Sequence, residues 1–233
     1  MPSRRLKSQQ KPDTHTDTSR LGLEEKIKLL EQALTAQRSE FEKISQSHRR
    51  LQSRNRILEK ILHLHAKPER PLENLQAILD MSMELIPGEA GSILLVDPEN
   101  SELYFSVASG PVAKGLKDFR VRLGEGIAGA CLKTKEVIAV SDVDKDPRFH
   151  KAISKALGFT AKSLLAVPIV HRGEGLGVIE ILNRKEGNHF TGAEIEAIEM
   201  LARAAGVLLG IWTSASGANF AGAGGDGTEG AIS

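Results

Sequence analysis

The feature that most constrains this chain is a narrow stripe of apolar residues in its N-terminal third. Members of the stripe recur at intervals of three, four or seven residues. They are Leu23, Ile27, Leu30, Leu34, Phe41, Ile44, Leu51, Leu58 and Leu62. This spacing is the a/d repeat of a coiled coil, which one helix cannot bury by itself. The sequence therefore predicts that two copies pair along this stripe, which we call the seam.

Polar residues on and beside the seam favour a parallel pair. Asn55 occupies an a position, where an asparagine can pair with its mate across a parallel dimer and fix the register. Lys26 at g would face Glu31 at e of the second copy, a contact worth about 0.5 kcal/mol or less. We expect a parallel dimeric coiled coil over residues 21–67. The alternative, one amphipathic helix packed on its own domain, usually needs a wider apolar face.

Composition excludes several functional classes. The formal net charge is +1 over 233 residues, so no global field favours nucleic acid or anionic lipid. The single cysteine, Cys131, excludes an intramolecular disulfide and any multi-cysteine metal site. No apolar stretch approaches the roughly 18 residues of a membrane span, and the polar start does not resemble a secretory signal. We therefore expect a cytoplasmic chain without a nucleic-acid, membrane or metal partner.

Local composition divides the chain into four parts. Residues 1–20 are polar and contain two prolines, so we expect disorder there. Pro68 and Pro71 end the coiled coil, because proline lacks an amide donor and clashes inside a helix. Residues 70–212 have the pattern of a folded domain. The glycine-rich residues 213–233 are expected to form a flexible tail.

Within the domain, a helical period over residues 72–85 gives way to short apolar runs and alternating segments. The expected strands are 92–97, 103–109, 119–123, 137–142, 163–171 and 176–184. Short helices are expected within 124–136 and 146–158. A final helix, 191–212, begins with the capping box formed by Thr191 and Glu194.

Most of the strand connections are short enough to be hairpins, so the sheet should be largely antiparallel. This predicts an α+β fold with a six-stranded sheet. One face would be covered by the helices at 72–86 and 191–212. The other would face the segments 124–136 and 146–160 and leave room for a small cavity.

A series of motifs along the domain occurs in an order that resembles a known family. The motifs are Gly126-Ile127-Ala128-Gly129, Val140 to Asp142, Asp146-Pro147-Arg148-Phe149, Gly158-Phe159, Ser163, Val167-Pro168-Ile169, Gly177-Val178 and Leu182-Asn183-Arg184. Together they resemble the GAF domain family over roughly residues 70–212. The resemblance implies the six-stranded GAF sheet in a sensor module that binds a small ligand and often dimerises through its terminal helices.

The resemblance also implies a ligand pocket, with no cofactor indicated. The candidate residues are Ser92, Ile127, Ala128, Phe149, Ile153, Phe159, Ser163 and Glu180. Glu180 is notable because it stands in the middle of a strand between apolar residues. An inward carboxylate needs a partner. It is therefore either a ligand contact or tied to local backbone amides, and the sequence leaves both open.

Cyclic-nucleotide-binding members of the family carry Asn-Lys, then Phe, then Asp-Glu after the last strand. Asn183 and Phe190 match that motif here. Arg184, Glu194 and Ile195 stand at the other three positions. The motif is therefore partial.

In those members, polar residues of the pocket helix and a threonine before the next strand hold the nucleotide. The equivalent positions here are Ser154, Lys155, Leu157 and Ala161. Because Leu157 and Ala161 offer no side-chain donor or acceptor, we expect weak binding of cyclic nucleotides.

These observations predict a non-enzymatic signalling protein. Its GAF domain would bind an unidentified small ligand, and its coiled coil would form a homodimer and pass the signal to a separate output protein. Two alternatives remain, a cyclic-nucleotide-binding regulator and a ligand-free interaction scaffold. The methionine-sulfoxide reductase branch of the family needs several cysteines, whereas this chain has one.

Overall fold

A computed structural model describes residues 14–65, 70–149 and 151–216. These residues belong to two compact units, Met1–Asn55 and Arg56–Ser233. Three parts of the predicted organisation fall outside the described residues: the first 13 residues, residues 66–67 of the coiled coil, and residues 217–233 of the tail.

The described residues of the first unit form a helix. Helix α1 runs from Thr14 to His65, so its last ten residues belong to the second unit. Residues 14–20, which were expected to be disordered, are helical instead. No proline lies between Pro12 and Pro68, and an established helix extends at little cost where no residue interrupts its hydrogen bonds. The polar composition of these residues is therefore compatible with a helix.

The seam lies on the surface of a single chain. Leu23, Leu30, Leu34 and Ile44 are all exposed, and Phe41 is 71% exposed. The remaining seam positions with a described environment are Ile27, Asn55 and Leu58, which are also exposed; the side chains of Leu51 and Leu62 are outside the described set. An apolar stripe of this kind is stabilised by a covering partner.

The second unit is built on a six-stranded sheet with the order β3-β2-β1-β6-β5-β4. The strands are β1 Ala90–Asp97, β2 Glu102–Ser109, β3 Arg120–Arg122, β4 Ile138–Val140, β5 Leu164–His171 and β6 Glu174–Leu182. Every neighbouring pair is antiparallel. The predicted α+β architecture and the largely antiparallel sheet are thus confirmed.

One face of the sheet is covered by α2 (Pro71–Leu85) and α5 (Gly192–Ser216). The buried residues of this helix-side core include Leu75, Ile78, Leu79, Ile93, Leu95, Leu165, Val167, Ile179, Ile181, Ile198, Leu201, Ala205 and Leu208. The end of α1 also packs here. Ile61 is buried in this core, and Lys60 Nζ lies 2.9 Å from Glu84 Oε2 on α2.

The other face meets α3 (Gly126–Thr134) and α4 (Lys151–Ala156). Two short 3-10 helices complete this side, Ala113–Asp118 before β3 and Val143–Lys145 after β4. The sequence predicted helices within 124–136 and 146–158, but it did not predict the turn at Ala113–Asp118. That segment has too few residues to show a helical period.

Several element boundaries differ from the prediction for identifiable reasons. Strand β6 ends at Leu182 rather than at 184, because Asn183 adopts a left-handed backbone with φ 54°. Strand β6 begins at Glu174, because Arg172 and Gly173 both have positive φ and form a two-residue hairpin turn of the I′ type. Helix α5 continues to Ser216, so residues 213–216 of the expected flexible tail are helical.

The described helices include none with the length and apolar character needed to cross a membrane. Over the same residues, no group of three or more His, Cys, Asp and Glu side chains is placed to hold a metal ion.

Candidate functional site

A cavity of about 530 Å³ lies between the second face of the sheet and the segments that cover it. Its floor comes from β1 and β6, and its walls come from β3, α3 and α4. This is the side of the sheet on which the sequence left room for a cavity. The volume falls within the range of about 300–1,000 Å³ that is typical of small-molecule pockets.

The polar floor of the cavity is formed by Ser92 and Glu180. The two residues are directly opposite one another in the antiparallel pairing of β1 with β6. The Ser92 hydroxyl donates a long hydrogen bond of 3.4 Å to Glu180 Oε2. Because this pairing sets their register, both side chains point to the cavity face while Ile93 and Ile179 point to the helix-side core.

Burial controls the charge of Glu180. The residue is 8% exposed, and removal of its carboxyl from water raises its pKa from 4.5 to about 7. The hydrogen bond from Ser92 acts in the opposite direction but is outweighed. The carboxyl is therefore close to half ionised at neutral pH and gains or loses a proton readily.

The walls of the cavity are largely apolar and include aromatic side chains. Four phenylalanines line it, Phe105 from β2, Phe119 just before β3, Phe149 before α4 and Phe159 after α4. Aromatic faces offer large flat contact areas and carry a negative potential above the ring. The walls thus suit a flat or a positively charged ligand.

Glycines allow α3 to lie close to β3 at one side of the cavity. Gly124 and Gly126 have positive φ angles, 87° and 65°, which favour glycine. At Gly129 a Cβ atom would lie 2.6 Å from the Arg122 carbonyl oxygen. Backbone conformation and close approach therefore explain why glycine stands at these three positions.

Charged side chains of both signs stand around the cavity on more exposed positions. Arg120, Arg122, Glu102 and Glu125 line it. The Arg120 guanidinium donates to the Lys117 carbonyl oxygen at 2.8 Å and lies 5.6 Å from the centre of the Tyr104 ring. Both arginines are exposed, in contrast to the buried carboxyl of the floor.

Seven of the eight candidate ligand contacts line the cavity. They are Ser92, Ile127, Ala128, Phe149, Ile153, Phe159 and Glu180. Ser163 does not line the cavity, so its assignment to the pocket was wrong. It is completely buried, and its hydroxyl accepts a hydrogen bond of 3.2 Å from the Arg184 amide, so it holds the chain after β6 instead.

Only some of the positions that correspond to nucleotide contacts in other family members line the cavity. Ser154 and Leu157 line the cavity, whereas Lys155 and Ala161 are outside its lining. Ala161 is buried in the cavity-side core.

Sequence reasoning missed Phe105, Phe119 and Leu116 as lining residues. Phe105 and Phe119 could have been found, since each stands in or next to a predicted strand. Leu116 lies in the 3-10 helix that the sequence did not indicate.

A network of hydrogen bonds around Asn183 connects the segment after α4 to the ends of other elements. The Asn183 side chain accepts from the Lys162 amide at 2.7 Å and donates to the Thr160 carbonyl oxygen at 2.8 Å. It also donates to Glu89 Oε2 at 2.7 Å, beside the start of β1. Asn183 thus fastens the chain that leads from the cavity wall to β5.

The next residue continues this network to α5. The Arg184 guanidinium donates to Glu194 Oε1 at 3.0 and 2.9 Å. Glu194 Oε2 accepts from the Thr191 amide at 2.7 Å, and the Glu194 amide donates back to the Thr191 hydroxyl at 3.3 Å. The predicted capping box is confirmed. The replaced positions of the partial motif, Arg184 and Glu194, form an ion pair with each other.

Cys131 is a buried residue of α3. It is fully buried, and burial together with the nearby Glu180 charge raises its pKa to about 12. The thiol is therefore protonated at neutral pH.

The sequence of this domain matches the family model of the GAF domain over residues 70–209. The chain belongs to the GAF domain family. GAF domains are generally regulatory modules that bind small ligands, and the cavity lies within the matched residues. The predicted resemblance is confirmed.

Comparison with curated proteins finds a similar protein in Caenorhabditis elegans, described as a probable 3',5'-cyclic phosphodiesterase, pde-5. It is 29% identical over 141 residues, which make up 57% of this chain and 19% of that protein. This chain therefore spans about a fifth of the length of that relative.

Solved structures of GAF domains share the fold. The GAF domain of a phosphoenolpyruvate-protein phosphotransferase (ptsP) from Coxiella burnetii has a TM-score of 0.59 at 22% identity, covering 69% of this chain and 95% of that one. A free methionine-R-sulfoxide reductase from Neisseria meningitidis, solved with its substrate, has a TM-score of 0.55 at 20% identity, covering 66% and 89%. At these identities the likeness concerns the fold alone.

Because the Glu180 carboxyl is buried, we expect the free energy of unfolding to depend on pH. The pKa of Glu180 is higher in the folded chain, about 7, than its ordinary value of 4.5, so the folded state holds the proton more tightly. The stabilisation that the protonated Glu180 carboxyl gives to the folded state is fully present below pH 4.5 and is lost as the pH rises through 7. Glu180→Gln should remove this loss, which amounts to about 3 kcal/mol at 1.36 kcal/mol per pH unit.

Urea unfolding of both proteins at pH 5 and pH 7.5 measures the effect. The wild type should lose more free energy of unfolding between the two pH values than Glu180→Gln does. Glu125→Gln, an exposed residue at the same cavity, should behave as the wild type. Equal losses in the wild type and Glu180→Gln would contradict burial of this carboxyl.

Proposed function

We propose that this protein is a non-enzymatic sensor in which a small ligand occupies the GAF cavity and the occupied domain signals through a dimer formed by α1. The observation that carries the proposal is the buried Glu180 carboxyl in a largely apolar cavity that four phenylalanines help to line. An output activity would reside in a separate protein.

A ligand explains the cavity better than an empty scaffold does. Burial of a carboxyl without a strong partner costs stability, and Ser92 supplies one long hydrogen bond. A close-packed core would avoid this cost by placing an apolar residue at position 180. The scaffold alternative gives no reason for keeping both the cavity and the acid.

The state of the cysteine supports a non-enzymatic role. A reductase that acts through cysteine needs a thiolate that can reach its substrate. Cys131 is fully buried with a pKa of about 12, and it does not line the cavity. The likeness to a methionine-sulfoxide reductase is thus a likeness of fold without the thiol chemistry.

A route for the signal is available at the end of α1. Ile61 shares the helix-side core with α2, and Lys60 pairs with Glu84 of α2. Helix α2 leads directly into the segment before β1, which supplies Ser92 to the cavity floor. A ligand that shifts β1 would therefore act on the helices that contact α1.

The seam generates a prediction for the oligomeric state. We expect the full chain to sediment as a dimer at micromolar concentration, because its exposed leucines would otherwise face water. The double variant Leu30→Glu with Leu34→Glu should weaken the dimer by about a hundredfold or more, since burial of each leucine is worth about 1.5–3 kcal/mol. Gln32→Glu, on the opposite side of α1, should leave the dimer intact. A wild-type monomer would contradict the coiled-coil interpretation.

We expect a small molecule to remain in the cavity when the protein is purified. Mass spectrometry of an extract of the natively purified chain should find a small molecule that Ile153→Trp holds in a smaller amount, because the larger tryptophan side chain at this lining position occupies part of the cavity. Lys155→Trp, on the same helix but outside the lining, should retain the molecule. If the wild type yields no more than Ile153→Trp, the scaffold interpretation is favoured instead.

A cyclic-nucleotide regulator is the second candidate, and the similarity to a probable cyclic phosphodiesterase favours it. Against it, Leu157 lines the cavity where nucleotide-binding members place a polar contact. A buried polar edge without a partner costs about 1–3 kcal/mol.

We therefore expect cyclic AMP and cyclic GMP to bind weakly or not at all, with a loss of about tenfold or more for each missing contact. Isothermal titration calorimetry with each nucleotide measures this. A submicromolar dissociation constant for either nucleotide would make the second candidate the correct one.

A further inference from the structure

The floor of the cavity presents an unsatisfied acceptor. Glu180 is more than nine-tenths buried, and Ser92 reaches its Oε2 atom at 3.4 Å. Oε1 has no hydrogen-bond partner among the described residues. A buried carboxylate can accept several hydrogen bonds, so most of its capacity is unused.

Among the described residues, no cation compensates this acid. The causes that set the Glu180 pKa are burial and the Ser92 hydrogen bond, and no lysine or arginine contributes. On β5, the residue paired with Glu180 is the apolar Ala166. On α3, the nearby titratable group is the neutral Cys131 thiol. The arginines that line the cavity, Arg120 and Arg122, are exposed.

The walls of the cavity also restrict which ligands it can bind. These walls include Phe105, Phe119, Phe149 and Phe159, and aromatic rings stack on flat groups and attract a cation placed over a ring face. Aromatic walls around a buried acid are unfavourable for an anion, because its charge would meet the Glu180 carboxylate at low dielectric.

We propose that the cavity takes a flat aromatic ligand with a cationic N–H edge of the amidinium type, which donates paired hydrogen bonds to the Glu180 carboxylate. The two N–H groups of such an edge match the two carboxylate oxygens, as a guanidinium does in a bidentate pair. The ligand supplies the positive charge that the protein withholds. This inference rests on the proposed function, since it assigns the ligand chemistry of the same cavity.

Small aromatic probes test this chemistry without knowledge of the natural ligand. The full chain, freed of any co-purifying molecule, is titrated with benzamidine, benzoate and ethylbenzene, and binding is followed by NMR. Benzamidine should bind at least tenfold more tightly than benzoate, because the two have the same ring and opposite charge. Equal or tighter binding of benzoate would overturn the proposal.

Substitutions of the acidic residues at the cavity show which of them binds benzamidine. Glu180→Gln should weaken benzamidine by about tenfold or more and leave ethylbenzene within about twofold, since hydrogen bonds to a charged group are lost while the apolar walls remain. Glu102→Gln and Glu125→Gln remove acids that also line the cavity, and each should leave benzamidine within about twofold. An equal loss in these controls would show that general attraction, rather than Glu180, holds the cation.

The outcomes separate this inference from the proposed function. Ethylbenzene binding that Ile153→Trp weakens, together with no preference for benzamidine, would keep a ligand cavity and reject the amidinium assignment. Failure of all three probes to bind would reject both. Retained ethylbenzene binding in Glu180→Gln also shows that this variant is folded.

Discussion

The pairing of β1 with β6 at the centre of the sheet determines where the polar and apolar groups of this domain lie. The register places Ser92 opposite Glu180 and turns both toward the cavity. Because side chains alternate along a strand, Ile93 and Ile179 then point to α2 and α5. A slip of one residue would carry the carboxyl into the helix-side core, where it would have no access to a ligand.

Because of this register, the two faces of the central strands have different roles. Their helix-side residues fill a dense core that joins the sheet to α2, α5 and the end of α1. Their cavity-side residues leave space and an acid with unused acceptor capacity. Local stability is thus reduced at the floor and restored by the helices behind it, which is a common arrangement at binding sites.

The sequence predicted the elements whose signals are local. The capping box of Thr191 and Glu194 forms as expected, and the alternating or apolar runs became six strands. Glu180 was identified because a charged residue in the middle of an apolar strand is conspicuous. The structure then showed its partner to be the Ser92 hydroxyl at 3.4 Å, with no backbone amide among the described contacts.

Features that depend on contacts between distant segments could not be predicted. Ser163 was assigned to the pocket from its motif, but the positive φ of Asn183 brings the Arg184 amide to its hydroxyl. The 3-10 helix that supplies Leu116 to the cavity is too short to have a period. Residues 14–20 and 213–216 were assigned by composition, which does not show where a helix that has already formed will stop.

The most direct test of this account is the titration of the Glu180 carboxyl by carbon-13 NMR in the ligand-free chain, with Glu180→Gln used to assign its signal. We expect a titration midpoint near 7, because the carboxyl is buried and no described cation compensates its charge. A midpoint near 4.5 would show a solvated carboxyl and would contradict the buried acceptor on which the proposed ligand site depends.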